Sequence, residues 1–429
     1  MVDTWVVGNY VSNEAFSAVG TVGPIINTLI GFFMGLSSGA GAVISQYYGA
    51  KRQEQVRQTV HTAVVMTLIL GVLFTAVGIL FTPFMLSLMK TPEEVLPQST
   101  AYLRIYFAGI LGLMLYNIGS GILRAIGDSK RPFYFLVVSA LLNVALDLLF
   151  VLGFGMGVEG VAYATIISQG VSAILVMLTL LRTSTWVRVK PSELRIHWNM
   201  LGKIVRVGIP AGLQLMITSF SNVFVQSYIN YFGSDCMSGW TAYSKVDALL
   251  FLPMQSIALA ATTFVGQNLG AKQEARAKKG IWIALLLAVC CTVLLLIPVL
   301  IFAPYLVTFF NDKPEVVEYG TRFLRTLSYF YVFCCVNQVF GGALRGAGNS
   351  RAPMLIMISS FVLFRQLYLY FASTYIANEI MVIAMGYPAG WIMASTLTLI
   401  YYRCVKLTKG RLVEDDREEA EGKLSLKNE

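Results

Sequence analysis

Long runs free of Asp, Glu, Lys, Arg and His dominate this chain of 429 residues. Nine lie at 15–50, 62–89, 105–123, 160–181, 207–234, 248–271, 280–311, 326–344 and 380–402. Two more, 132–158 and 352–378, each hold one internal charge, Asp147 and Arg365. A helix of about 20 apolar residues crosses about 30 Å of hydrocarbon, so each of these runs predicts a membrane-spanning helix. A twelfth fragment, 4–13, is apolar but too short to cross. No basic leader precedes the first run and no cleavage-type site follows it, so a secretory signal is not expected.

The pattern repeats. LRAIGDSKRP at 123–132 recurs as LRGAGNSRAP at 344–353, and QYYGAK at 46–51 as QNLGAK at 267–272, both at an offset of 221. Pro83 and Pro304, Leu103–Arg104 and Leu324–Arg325, and Asn9–Tyr10 and Asn230–Tyr231 share that offset of 221. One offset at five separated places indicates a duplication. Six spans separate equivalent points, and an even number restores orientation, so the halves are parallel repeats about an axis along the membrane normal. The expected fold is an all-α polytopic membrane protein of about 12 helices in two six-helix lobes meeting at a central cavity. The expected boundaries are a first lobe at 1–183, a linker at 184–202, a second lobe at 203–404 and a charged tail at 405–429. The linker region 182–206, basic and carrying Trp186 and Trp198, reads either as an amphipathic segment on the membrane surface or as a solvated loop. The second half opens with VGIPAGLQLM at 207–216, whose partner at the same offset would precede Met1. The first span therefore reads as incomplete: either the start is misassigned and an in-frame apolar segment is expected upstream of Met1, or the chain is a truncated form.

Composition agrees. Hydrophobic residues make up 56% and charged ones 13%, against about 45–50% and about 25% in soluble proteins. Mean hydropathy is +0.67. Alternate connections and the tail hold 25 of the 32 Lys and Arg residues. That asymmetry puts the basic loops and the C-terminus in the cytoplasm. It also accounts for the net charge of +9 through topology and contact with anionic lipid, with no nucleic acid partner. Six cysteines show no ligand spacing with the two histidines, and packing or surface roles are expected for His61 and His197. Two dispersed histidines argue against an enzyme, and no filter-like loop argues for a channel.

Ionisable groups at membrane depth are functional candidates because each is costly there. Asp3, Asp147, Lys245, Asp247 and Arg365 qualify. Asn143 lies one turn before Asp147, and Thr165 sits in the small-residue stretch GVAYATIISQG of the next span. Asp3, Asn143, Asp147 and Thr165 form a plausible oxygen cage for H⁺ or Na⁺; the alternative is an interhelical hydrogen-bond pair with no ion role. At the offset of 221, Asn143 and Asp147 become Phe364 and Tyr368, so the second half cannot repeat this cage. Lys245, Asp247 and Arg365 read either as substrate-contacting or as Lys–Asp or Arg–Asp structural pairs. With Gln214, Met216, Phe220, Asn222, Met254 and Gln255 they make a candidate substrate cavity. The Gly-rich stretch 35–50 has no GK[ST] and reads as close helix packing.

DTWVVGNYVSNEAFSAVG at 3–20, LRAIGDSKRP, LNVALDLLF at 142–150, GVEGVAYATIISQ at 157–169 and FVGQNLGA at 264–271 resemble the multidrug and toxic compound extrusion (MATE) family. Asp3 with LNVALD is closest in pattern to its DinF-like branch. The resemblance implies two six-helix lobes around a V-shaped cavity. It implies export of drug-like, organic cationic compounds by antiport with H⁺ or Na⁺, with no cofactor beyond that ion. It maps Asp3, Asn143, Asp147 and Thr165 onto that branch's cation site, and it implies a multi-pass protein of the cell (plasma or inner) membrane, acting as a monomer. A helix-bending proline that the family carries at the start of the first helix has no counterpart here. A lipid-linked oligosaccharide flippase of the broader superfamily is the alternative, kept open by Lys245 and Arg365.

Overall fold

A computed structural model describes residues 6–8, 10–89, 91–376 and 379–413, without the side chains of Asn13, Phe220 and Val223. Asp3, Lys90 and the tail beyond Val413 lie outside the described residues, as does part of the fragment 4–13. Among the described residues the regular structure is helical throughout. Ten helices are long and apolar enough to cross a membrane, with an eleventh if a pair bent by 45° counts as one span. They match the eleven runs predicted from sequence one for one. Large apolar side chains stand exposed along them, such as Leu80 at 73% and Leu294 at 70%. Such a surface is a liability in water and a match for lipid.

The chain forms two compact units. The first comprises Met1–Ile44 and Arg52–Gly212. Its helices are α1 (Asn13–Gly49, whose last turn belongs to the other unit), α2 (Gln53–Leu88), α3 (Leu96–Ala108), α4 (Ile110–Ala125), α5 (Lys130–Leu148), α6 (Val158–Arg182) and the start of α7 (Trp198–Asn230). The α3–α4 pair bends at Gly109, and α5 runs on into a π-helical turn, Leu149–Gly153. The start of α7 belongs here because glycines let it touch α1. A Cβ on Gly35 or Gly39 would stand within 2.5 Å of the backbone of Gly212 or Gly208. The unit's core gathers Phe33, Tyr102, Leu103, Phe107 and Ile110.

The second unit comprises Ser45–Lys51 and Leu213–Glu429. It holds the rest of α7, then α8 (Ser234–Gly270), α9 (Glu274–Ile301), α10 (Ala303–Thr308), α11 (Pro314–Leu327) and α12 (Tyr331–Gly346). The next span, Arg351–Ile376, alternates α13 (Arg351–Met357), a π segment Ile358–Phe364, α14 (Arg365–Phe371) and a π segment Ala372–Ile376. Then come α15 (Ile380–Ala384) and α16 (Gly386–Cys404). Gln46, fully buried, donates from Nε2 to Gly346 O at 2.8 Å and accepts Leu412 N–H at 2.7 Å.

The offset of 221 governs the backbone as well. Adding it to the bounds of α1 and α4 gives those of α8 and α12. The repeated motifs are helix stops. At Gly127 (φ 94°) Asp128 N–H reaches Leu123 O at 3.0 Å and Gly127 N–H reaches Arg124 O at 2.9 Å. At Gly348 (φ 87°) Asn349 N–H reaches Leu344 O at 2.9 Å and Gly348 N–H reaches Arg345 O at 2.9 Å. This paired closure is the Schellman motif, which needs a left-handed residue. Asp128 and Asn349 then cap the next helix through the backbone N–H of Arg131 and Ala352. Lys51 (φ 58°) and Lys272 (φ 59°) end α1 and α8 in the same conformation.

Between α6 and α7 the chain is irregular apart from a single 3-10 turn at Pro191–Glu193, and it is docked on α2. Val187 and Val189 are buried while Arg188 faces out. His61, fully buried, donates from Nδ1 to Arg57 O at 2.7 Å and accepts Lys190 N–H on Nε2 at 3.0 Å. Thr62 accepts His197 N–H at 3.0 Å. Glu193 lies 3.1 Å from Lys190 and 3.3 Å from Arg57. The Lys190 hydrogen bond, chiefly, holds the Glu193 carboxyl below its usual range, and burial lowers the His197 imidazole. Removing a buried acceptor costs about 1–3 kcal/mol. His61→Ala should therefore let the 183–197 segment open and speed its cleavage by trypsin by about tenfold. An unchanged digestion rate would show that the imidazole does not anchor it.

Candidate ion and substrate sites

The first unit places a carboxylate where water cannot reach it. Asp147 on α5 is fully buried, and Asn143 lies one turn earlier on the same face. Ser139 Oγ donates to Ser168 O on α6 at 2.7 Å and fixes the register of these helices. Counting along the antiparallel pair from that contact brings Asn143 level with Ala164 and Thr165. The Thr165 hydroxyl donates to Val161 O at 2.9 Å. The Asn143 amide nitrogen and the Gln169 carbonyl oxygen, one turn beyond Thr165, are buried without a hydrogen-bond partner among the described residues. Carboxylate, amide and hydroxyl oxygens suit a proton or a hard cation. The fourth predicted member, Asp3, lies outside the described residues.

The second unit encloses a cavity of about 460 Å³. Of the residues grouped from the sequence, Gln214, Asn222, Asp247, Gln255 and Arg365 line it. Other members of that grouping lie elsewhere. Lys245 is exposed on α8 and is not in the lining. Met254 is fully buried in the core beside Leu250 and Tyr331. Met216 is half-buried outside the lining, and the Phe220 side chain is outside the described residues.

Neither structural pair considered for these charges forms among the described residues. Asp247 accepts the hydroxyls of Tyr331, by a very short bond, and of Tyr243 at 3.4 Å. Arg365 is 1% exposed and donates from Nη2 to Ser221 Oγ at 2.7 Å and to Asn222 Oδ1 at 2.9 Å. Its guanidinium carbon lies 5.1 Å from the Phe361 ring centre and 4.9 Å from that of Tyr387. Trp391 and Phe251 complete the aromatic wall.

Ser221, Tyr243, Tyr331 and Tyr387 escaped the sequence reading, and so did Gln169. A signal for the tyrosines was present in the repeat. Subtracting 221 from Tyr243, Asp247, Tyr331, Arg365 and Tyr387 gives Val22, Ile26, Ile110, Val144 and Ile166. Every charged or phenolic member of the second cluster replaces an aliphatic residue. The same shift turns Asn143, Asp147 and Thr165 into Phe364, Tyr368 and Gly386. The halves share a scaffold and have placed polar chemistry at different positions on it.

Comparison with known proteins agrees with this architecture. The MatE family model matches residues 1–149 and 210–371. The probable multidrug resistance protein YpnP of Bacillus subtilis is 30% identical over 403 residues, covering 94% of this chain and 89% of its own. The probable multidrug resistance protein NorM of Thermotoga maritima is 25% identical over 421 residues, covering 97% and 90%. A solved outward-facing multidrug resistance MATE family transporter of the MOP superfamily superposes with a TM-score of 0.89 at 23% identity, covering 94% of this chain and 90% of its own. The match across both halves and the 30% identity over nearly the whole length establish that this multi-pass membrane protein belongs to the MATE family of multidrug efflux transporters.

Proposed function

We propose that this transporter exports drug-like organic compounds, organic cations among them, by antiport with H⁺ or Na⁺, exposing its binding sites alternately to the two sides of the membrane. The coupling ion binds at Asn143, Asp147 and Thr165, with Asp3 as a further oxygen donor. Substrate binds in the cavity that Gln214, Asn222, Asp247, Gln255 and Arg365 line. The observation that carries this reading is Asp147, a carboxylate with no solvent exposure beside an amide with an unmatched N–H. An ionisable group at membrane depth is costly to keep there and is by default a functional candidate. The separation of the two clusters along the repeat favours one unit for the ion and the other for the substrate. The flippase alternative finds no support among the relatives, and Lys245, one of the two cations that raised it, does not line the cavity. The excess of Lys and Arg in alternate connections supports a cytoplasmic C-terminus for this plasma-membrane protein, and the reading takes it to act as a monomer.

Vesicles loaded with ethidium, with a proton or a Na⁺ gradient imposed separately, test the reading. Export should accelerate several-fold under at least one gradient. Export indifferent to both gradients would refute antiport.

A further inference from the structure

Arg365 is a buried cation that the protein leaves partly unanswered. Its Nη2 bonds only neutral acceptors, Ser221 Oγ and Asn222 Oδ1. Its Nε is buried with no hydrogen-bond partner among the described residues. No carboxylate pairs with it among the described residues, since Asp247 in the same cavity is held by the Tyr331 and Tyr243 hydroxyls. We propose that Arg365 is an anion subsite, which takes the carboxylate of an aromatic substrate in the second unit's cavity. This deepens the efflux reading and rests on it for the role of the cavity.

Three features favour a ligand over a mere brace. First, the scaffold does not need an arginine there: the equivalent position of the first half is Val144, on a span that starts at the equivalent residue. Second, the guanidinium is fixed from several sides. Ser221 donates in turn to Phe361 O at 2.6 Å, Gln366 Nε2 reaches Ser221 Oγ at 3.2 Å, and two ring faces lie about the guanidinium. A guanidinium so held is preorganised, with Nη1 as the donor left to meet an oxyanion. Third, the helix is widened into a π segment, Ile358–Phe364, immediately before Arg365, a distortion frequent at functional sites.

The chemical class follows from charge and shape. One guanidinium balances one negative charge, so a carboxylate fits where a phosphate dianion would leave charge over. Phe251, Phe361, Tyr387 and Trp391 supply faces for an aromatic body, and about 460 Å³ accommodates a compact one. Asp247 keeps a negative pole within the same cavity, which turns the substrate's acidic end toward Arg365.

Radiolabelled 2-naphthoate and its neutral isostere 2-naphthamide, binding to the purified full chain in detergent, test the proposal. Wild type should bind naphthoate at least tenfold tighter than naphthamide. Arg365→Gln should bring that ratio close to one, and Arg365→Lys, which keeps the charge but not the planar, braced guanidinium, should leave it between the two. Equal binding of both probes by wild type would overturn the proposal without any variant, as would a preference that survives in a monodisperse Arg365→Gln. Ethidium export by wild-type vesicles reads the efflux function independently. If export fails while the naphthoate preference holds, the transport reading falls and the anion subsite stands; the reverse result removes the subsite alone.

Discussion

Asp147→Asn is expected to abolish export driven by a cation gradient, down to the rate of protein-free vesicles, while the protein remains folded in the membrane. The substitution keeps the size and hydrogen-bonding capacity of the side chain and removes its titratable charge. Asp147 is fully buried, so packing tolerates the near-isosteric amide. Coupling does not tolerate it. An ion shifts a conformational equilibrium only by its differential affinity for the two states, and an amide in place of the carboxylate offers a cation little affinity in either. Substrate binding should persist, since the second unit's cavity contains no residue of α5. Export at the wild-type rate, from a variant expressed at wild-type level, would make the cluster a structural hydrogen-bond pair.

Gly49→Val should be the most damaging single change in the scaffold. A Cβ on Gly49 would lie 1.9 Å from Gln267 O and 2.6 Å from its carbonyl carbon. The equivalent Gly270 stands the same way against Gln46 O, at 1.9 Å. These neighbours are backbone atoms of helix ends within the second unit, and they cannot swing aside as a flexible side chain would. Overpacking of this kind costs about 3 kcal/mol or more. The melting temperature in detergent should fall by about 3 °C or more. Gly170→Ala is the control: nothing lies within 4 Å of its Cβ position, and alanine favours a helix by about 1 kcal/mol. A Gly49→Val protein that melts with wild type would contradict the close crossing.

Much of this fold is legible in the sequence, because a membrane allows few solutions. Runs with at most one internal charge located every described span, and the shared offset of 221 predicted that equivalent helices would begin and end together, as α1 and α8 do. The runs misjudged helix ends. A charge does not stop a helix that continues past the hydrocarbon, so α2 starts at Gln53 through Glu54 and Arg57 instead of at 62. In the same way α8 starts at Ser234 and carries Lys245 and Asp247 inside it. The site was legible only in part. Buried charges announced Asp147, Asp247 and Arg365, and helical spacing tied Asn143 to Asp147. Nothing in Tyr331 or Tyr243 taken alone distinguishes a phenol bonded to Asp247 from a packing ring; their aliphatic counterparts in the other repeat do. Lys245 misled because a position near a membrane charge does not say which face of the helix it occupies.

Substrate-driven cation movement is the most direct test of the division between an ion-binding unit and a substrate-binding unit. Binding free energies couple reciprocally, so an outward gradient of ethidium should drive the coupling cation inward with no ion gradient imposed. A pH-sensitive or Na⁺-sensitive dye outside wild-type vesicles should report that flux, and Asp147→Asn vesicles carrying the same amount of protein should report none. Equal cation movement in the two would contradict the assignment of coupling to Asp147.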